Sequence, residues 1–438
     1  MNDKDPLIVD EDRELDERLK SINDSTYEKI ENLILPQKAS PKKISSIQTI
    51  FSIWNTMIGS SMLSIPYNVY LAGIIPTIFI GILYGLVCFL TCSVVVKLGG
   101  NREDFAEIVY NYFYYGFGPK SAKVGKIFQI TFNLLINTGA TFIYFVIINQ
   151  NLFPCLCVLL KFFSVDIDSY DLTPYFYRFS LFYCALIVCV IVFPFTILKE
   201  IRFLVKFNSL GIYFISALLI FVIYQGIASL AKDSFHFEYK ENIEGSKDRY
   251  LLLFGERIEL ISGALSLGFF CHSVILSIMK NNRNQENNQR DLFIAYILVT
   301  LTYIIIGIMG YIGFSGSDFS SKFEKNWFMF SKSDNHFILA LKLLNVVQLV
   351  SVFPIIFFNV RDQLFQTFFK SFTYKYLPVI IFGIIFLAFC SVKLYFLNDY
   401  FAELICFIEA GYTLVLVYTI SPLINMIDYY IKHLPKKR

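Results

Sequence analysis

From Ile47 onward the chain is a succession of long apolar runs separated by polar stretches, and each run meets the length of about 20 residues that a helix needs to cross a bilayer. The runs lie at roughly 47–72, 74–97, 125–149, 179–198, 207–230, 258–279, 292–314, 336–360, 377–397 and 403–431, which predicts ten membrane-spanning helices. Residues 1–45 are different: eleven Asp/Glu against eight Lys/Arg, with too few apolar positions to bury a core. The expected organisation is therefore a disordered cytosolic tail (1–45), a transmembrane domain (46–432) and a basic cytosolic C-terminus (433–438). No sequence repeat is evident, but the runs divide into two sets of five. An odd number of spans per half inverts one half relative to the other, an arrangement common in secondary transporters. The fold class is an all-α polytopic membrane protein built as a 5+5 inverted repeat.

Composition narrows the function. Hydrophobic residues make up 55 % of the 438 and charged residues 17 %. Soluble domains carry about 25 % charged residues, so a soluble enzyme is excluded. The net charge of +3 offers no surface for nucleic acid. Lys and Arg number twenty-six on the side of the tail and eleven on the other, which places both termini in the cytosol. Most of the nine Cys sit inside apolar runs, so no disulfide framework is expected. HExxH, paired CxxC, P-loop and nucleophile-elbow motifs are missing, and the chain is not expected to be an enzyme or to carry an organic cofactor. In the tail, Asp3 stands four places before Leu7-Ile8. That spacing resembles the dileucine signal that adaptor complexes read when they sort proteins to endosomes and lysosomes.

Candidate chemistry concentrates in three spans. Trp54-Asn55-Thr56-Met57-Ile58-Gly59-Ser60-Ser61-Met62-Leu63-Ser64-Ile65-Pro66 puts Asn55, four hydroxyls, a Gly and a Pro into one lipid-crossing segment. Each buried polar group is costly in hydrocarbon without a partner. A helix unwound here exposes carbonyls and amides to a solute's carboxylate and amine; the alternative is a small-residue face for helix packing. The sixth span repeats the character with Ser262, Gly263, Ser266 and Gly268. Paired Gly-interrupted helices at corresponding places in two halves point to a transporter's substrate site, which here includes Ser266 and Gly268. In the eighth span Ser351 precedes Pro354, whose ring leaves an earlier carbonyl unpaired. His272 reads as a packing or helix-bonding residue. Glu409 in the tenth span is either a proton carrier or a carboxylate near the boundary that stays hydrated. Lys342 is expected to snorkel to the lumenal surface.

The run Thr49–Pro66 closely resembles the first helix of solute carrier family 38, in the amino acid/auxin permease group. So do Leu276-Ser277-Ile278-Met279-Lys280-Asn281-Asn282, Gln285-Glu286-Asn287-Asn288, Arg290-Asp291-Leu292 and Ile294-Ala295-Tyr296. Weaker echoes are Lys206–Gly211 and Ser351-Val352-Phe353-Pro354. The resemblance implies a LeuT-like fold with broken first and sixth helices, and an unwound first helix that holds the amino acid at Thr56, Met57, Gly59, Ser60 and Ser64. It also implies a sodium site at Asn55 and Ser351, the latter a Ser where the family has Thr. The family has eleven spans, one more than are read here. The expected function is ion-coupled transport of amino acids, by sodium or protons, across an endolysosomal or vacuolar membrane. The alternative is an amino-acid receptor that signals through the cytosolic tail without transporting.

Overall fold

The computed structural model describes residues 43–59, 62, 64–99, 105–163, 178–198, 201–232, 235–238, 249–314, 336–368, 376–396, 411, 413 and 415–433. Its helices are α1 (Ser46–Ile58), α2 (Ile65–Ala72), α3 (Ile74–Gly99), α4 (Phe105–Phe117), α5 (Pro119–Phe162), α6 (Leu181–Thr196), α7 (Ile201–Asn208), α8 (Ile212–Lys232), α9 (Ile258–Gly268), α10 (Ile275–Met279), α11 (Asn288–Phe314), α12 (His336–Phe368), α13 (Tyr376–Phe396) and α14 (Ser421–His433). Two four-residue strands, Phe235–Glu238 and Arg249–Leu252, pair in parallel between α8 and α9. Among the described residues, five continuous helical stretches are long and apolar enough to cross a membrane: Ile74–Gly99, Pro119–Phe162, Ile201–Ala231, Gln285–Gly313 and Leu339–Phe365. Leu181–Thr196, Ile258–Gly268 and Tyr376–Val392 are shorter apolar helices.

Local chemistry explains where the first segment starts and stops. Ser45 caps α1 through a reciprocal pair of bonds: its hydroxyl accepts from the Gln48 amide at 3.3 Å, and the Gln48 side chain accepts from the Ser45 amide at 3.3 Å. Just before the cap, the Ile44 amide donates to the Asn281 carbonyl at 2.9 Å and the Arg283 amide to the Ile44 carbonyl at 2.8 Å. The first helix is thereby tied to the turn after α10. At the other end Gly59 has φ 28° and ψ −136°, a conformation that a side chain disfavours and that no helix continues. The chain resumes helicity at Ile65, with Pro66 in the first turn of α2, where its missing N–H costs nothing. In the sixth segment α9 ends at Gly268 and α10 begins only at Ile275.

Three expectations are corrected. Residues 97–126, read as a loop, hold all of α4 and the first turns of α5. The third span is not 125–149 but a helix of 44 residues, about 66 Å at 1.5 Å per residue and over twice the hydrocarbon thickness. Its first turns carry Lys120, Lys123 and Lys126, which a hydropathy window rejects but a helix leaving the membrane accommodates. The loop read from residue 361 begins instead inside α12, which runs on to Phe368. Arg361 is accordingly buried, donating to the carbonyls of Thr196 at 2.6 Å and Leu198 at 2.8 Å.

The apolar core separates into two clusters. One is drawn mainly from α1–α3, α8 and α9–α11, with contributions from α4, α7 and α14. The other is drawn from α6, α12, α13 and the stretch Phe142–Cys157 of α5. Ile147 packs against both, and the hydrogen bonds Asn55–Ser351, Ser277–Asn359 and Ser273–Asn137 also link their elements.

Candidate substrate and ion site

The polar residues of α1 meet the end of α7 and the middle of α12. Asn55 Nδ2, with two hydrogens to give, lies 2.9 Å from the Asn208 carbonyl, 2.6 Å from Asn208 Oδ1 and 3.1 Å from Ser351 Oγ. Gln348 Nε2 donates to Asn55 Oδ1 at 3.0 Å. The Asn208 amide in turn donates to the Ser52 carbonyl at 2.9 Å and to Thr56 Oγ1 at 2.8 Å. Ser351 Oγ donates to the Gln348 carbonyl at 2.6 Å. Asn55, Asn208 and Gln348 are fully buried, and Gln348 Oε1 has no partner. Gly211 makes the approach possible, because a Cβ there would overlap the Asn55 side chain. Four neutral side-chain oxygens, of Asn55, Asn208, Gln348 and Ser351, thus belong to one buried cluster. Amide and hydroxyl oxygens are the ligand type that hard cations take.

A helix that stops in hydrocarbon strands its last carbonyls. Here one tyrosine serves both breaks. The Tyr303 hydroxyl, on α11, lies 2.7 Å from the Met57 carbonyl at the end of α1 and 3.1 Å from the Gly268 carbonyl at the end of α9. A phenol has a single proton and can satisfy only one of the two at a time. Tyr296, two turns earlier on α11, donates to the next carbonyl, that of Phe269, at 3.1 Å. The C-terminal ends of α1 and α9, each carrying the negative pole of a helix, therefore converge on one spot beside the Asn55 cluster. Gly59 borders it: a Cβ there would overlap the Tyr144 hydroxyl of α5. Trp54 anchors α1 from behind by donating to Thr302 Oγ1 at 3.1 Å.

Of the residues singled out in the sequence, the structure joins Asn55, Thr56 and Ser351 in one network and brings Met57 and Gly268 to one tyrosine. Gly59 lies at the end of α1, and Ser64 precedes α2, its carbonyl accepting from the Asn68 amide at 3.1 Å. Ser266 is not brought in; its hydroxyl donates to the Gly263 carbonyl of its own helix at 3.0 Å. Ser60, Glu409 and the tail residues Asp3, Leu7 and Ile8 lie outside the described residues. His272, in the stretch between α9 and α10, is buried with Nε2 2.9 Å from Thr91 Oγ1 of α3. Lys342 is a correction: it does not reach a surface but is 2 % exposed, because α12 packs along α5 on both sides of it. The sequence reading missed Ser52, Asn208, Tyr144 and Tyr303, and gave Gln348 no role. Asn208 had a signal, since Lys206–Gly211 was noted as an echo of the family. A tyrosine within an apolar run, as at 303, had none.

A many-helixed membrane protein with two interrupted helices meeting at a polar centre is the architecture of LeuT-type transporters. Solved structures agree. The chain is similar to Mhp1, a nucleobase-cation-symport-1 family transporter, with TM-score 0.55 and 12 % identity over 87 % of this chain and 80 % of that one. It is similar to MhsT in complex with L-phenylalanine, with TM-score 0.55 and 14 % identity over 87 % and 89 %. Residues 42–438 match the family of transmembrane amino acid transporter proteins, and the chain belongs to that family. Its relatives include neutral amino acid transporter 9 of Danio rerio, 27 % identical over 89 % of this chain and 76 % of the relative. Another is the sodium-coupled neutral amino acid transporter 9 homolog of Caenorhabditis elegans, 26 % identical over 79 % and 62 %. The chain thus spans less than two thirds of the nematode relative's length.

Proposed function

We propose that this protein is a secondary active transporter that moves amino acids across an endolysosomal or vacuolar membrane by alternating access, coupled to sodium. The observation that carries the reading is the meeting of the α1 and α9 carbonyl ends at Tyr303, next to the buried Asn55–Asn208–Gln348–Ser351 oxygens. The α1 and α9 carbonyls face an amino acid's ammonium, and the backbone amides that open α2 face its carboxylate. Asn55, Ser351, Asn208 and Gln348 hold the cation, which displaces the Gln348-to-Asn55 hydrogen bond; the unpartnered Gln348 Oε1 supports that exchange. The names of the relatives supply the substrate class, and that of the nematode relative supplies the ion. Cytosolic termini follow from the Lys/Arg asymmetry. The compartment, and an adaptor complex as partner, rest on Asp3, Leu7 and Ile8.

Proton coupling through Glu409 is the competing arrangement. Purified protein in liposomes, given a sodium gradient or a proton gradient in turn with a panel of labelled amino acids, separates them. Sodium-driven uptake that Glu409→Gln leaves intact is expected. Uptake driven by protons alone and abolished in Glu409→Gln would replace sodium by the proton.

A further inference from the structure

Half-way from the central cluster to the His336 end of α12 lies a buried cation that the site above does not use. Lys342 is 2 % exposed, and among the described residues no carboxylate pairs with it. One turn on, Asn345 is fully buried with neither atom of its side-chain amide partnered. The facing stretch of α5 adds acceptors. Asn149 and Asn151 donate their amides to the Phe145 and Ile147 carbonyls at 2.8 and 2.9 Å, which leaves both Oδ1 atoms buried and unpartnered. Two contacts fix how the helices lie: Cys155 Sγ reaches the Leu339 carbonyl at 3.7 Å, and Asn133 Nδ2 donates to Gln363 Oε1 at 2.9 Å. In that antiparallel register Asn345 is level with Asn149–Asn151.

A lysine held this deep in the fold, with no carboxylate partner among the described residues, is a costly group to keep, and inside a membrane such a group points to a functional path. Around it here are amide donors and acceptors with bonds still to make. We propose that Lys342 and Asn345 form a carboxylate-binding site, separate from the Asn55–Ser351 cluster, on the path by which solute reaches that cluster. The carboxylate sits against the Lys342 ammonium and the Asn345 amide N–H, while the oxygen of Asn151, one turn before Cys155 on the face of α5 that meets α12, suits the ammonium of a zwitterion. Lys342 and Ser351 are nine residues apart, about 14 Å along the helix, so the two sites are distinct. Gln348, with its unpartnered oxygen, lies between them. That the carboxylate belongs to an amino acid rests on the transport reading above; the anion site itself does not.

The test is thermal unfolding of the purified full-length chain in detergent, titrated with choline acetate or choline chloride at an ionic strength held with choline sulfate. Acetate offers a carboxylate without an ammonium, and choline keeps sodium out of the measurement. The expected result is a saturable rise in Tm with acetate. Its midpoint moves up at least about tenfold in Lys342→Met and Asn345→Leu, returns in Lys342→Arg and stays unchanged in Asn55→Ala. No saturable rise in the wild type, or the same rise in Lys342→Met, would overturn the site. A chloride response equal to that of acetate and lost in Lys342→Met would overturn the carboxylate assignment in favour of an inorganic anion. If the acetate response stands and liposomes show no uptake, the transport reading has failed and the site has not.

Discussion

Asn55 is the residue on which the central cluster turns, because its one amide group spends two donors and an acceptor on α7 and α12 together. Removing either Asn55 or Ser351 takes an oxygen from the same proposed cation. Asn55→Ala and Ser351→Ala are each expected to raise the sodium concentration for half-maximal uptake by about tenfold, equivalent to roughly 1.4 kcal/mol. The double variant is expected to be little worse than the worse single one, since residues that share a ligand are not additive. Sodium titration of initial uptake, per correctly folded molecule, reads this directly; independent losses that multiply would show that the two side chains do not hold one ion. At this scale the sequence was informative where polar residues crowd an apolar span, as around Asn55, and silent where a single polar residue serves. Ser266 shows a related limit, its hydroxyl bonding the Gly263 carbonyl. A hydroxyl in a helix can close on a carbonyl of its own preceding turn, and sequence position alone does not distinguish that from a hydroxyl facing a site.

At the scale of elements, the Tyr303 hydroxyl lies within bonding distance of the carbonyl ends of both α1 and α9. Tyr303→Phe keeps the ring and its packing against Phe269 but deletes the proton. The loss of one buried hydrogen bond should cost about 1 kcal/mol or somewhat more in stability. A larger effect is expected on transport: uptake per molecule should fall by about tenfold or more as the stranded carbonyls drift from the substrate position. A variant with lowered Tm and normal uptake would reduce Tyr303 to a structural support. The helix ends at Ile58 and Gly268 fall beside or at the Gly59 and Gly268 singled out in the sequence. The lengths of α5 and α12 were not legible there. Hydropathy reports the part of a helix that lipid surrounds, whereas α5 continues past it through Lys120, Lys123 and Lys126, and α12 through Arg361. The helix α4 was missed because Phe105–Phe117 is amphipathic and packs on α5 and α14 without needing to cross the membrane.

At the scale of the whole molecule, the two apolar clusters are linked in part by hydrogen bonds, and the transport proposed above has them shift against each other, since packed cores resist strain and hydrogen bonds can be exchanged for water. Ser273, between α9 and α10, makes one of these bonds, donating to Asn137 of α5 at 3.3 Å. Cysteines at both positions, bridged by a short thiol-reactive crosslinker, are expected to stop uptake, with recovery after reduction if the bridge is reducible. Single-cysteine variants treated alike should keep transporting, and bridged protein that transports normally would mean the clusters do not part there. That the chain is a many-helixed membrane protein was legible from the number of apolar runs; the division of the core was not, because it depends on which faces of α5, α6, α12 and α13 meet, and sequence periodicity does not name partners. The central claim is that solute bound at the meeting of α1 and α9 crosses the membrane. Counterflow in liposomes tests it most directly: purified protein, an excess of unlabelled amino acid inside, and a trace of the same labelled amino acid outside. Transient accumulation of label above its equilibrium level is expected, slowed about tenfold or more in Tyr303→Phe. Saturable binding of the label with no accumulation would contradict transport and make the protein a receptor.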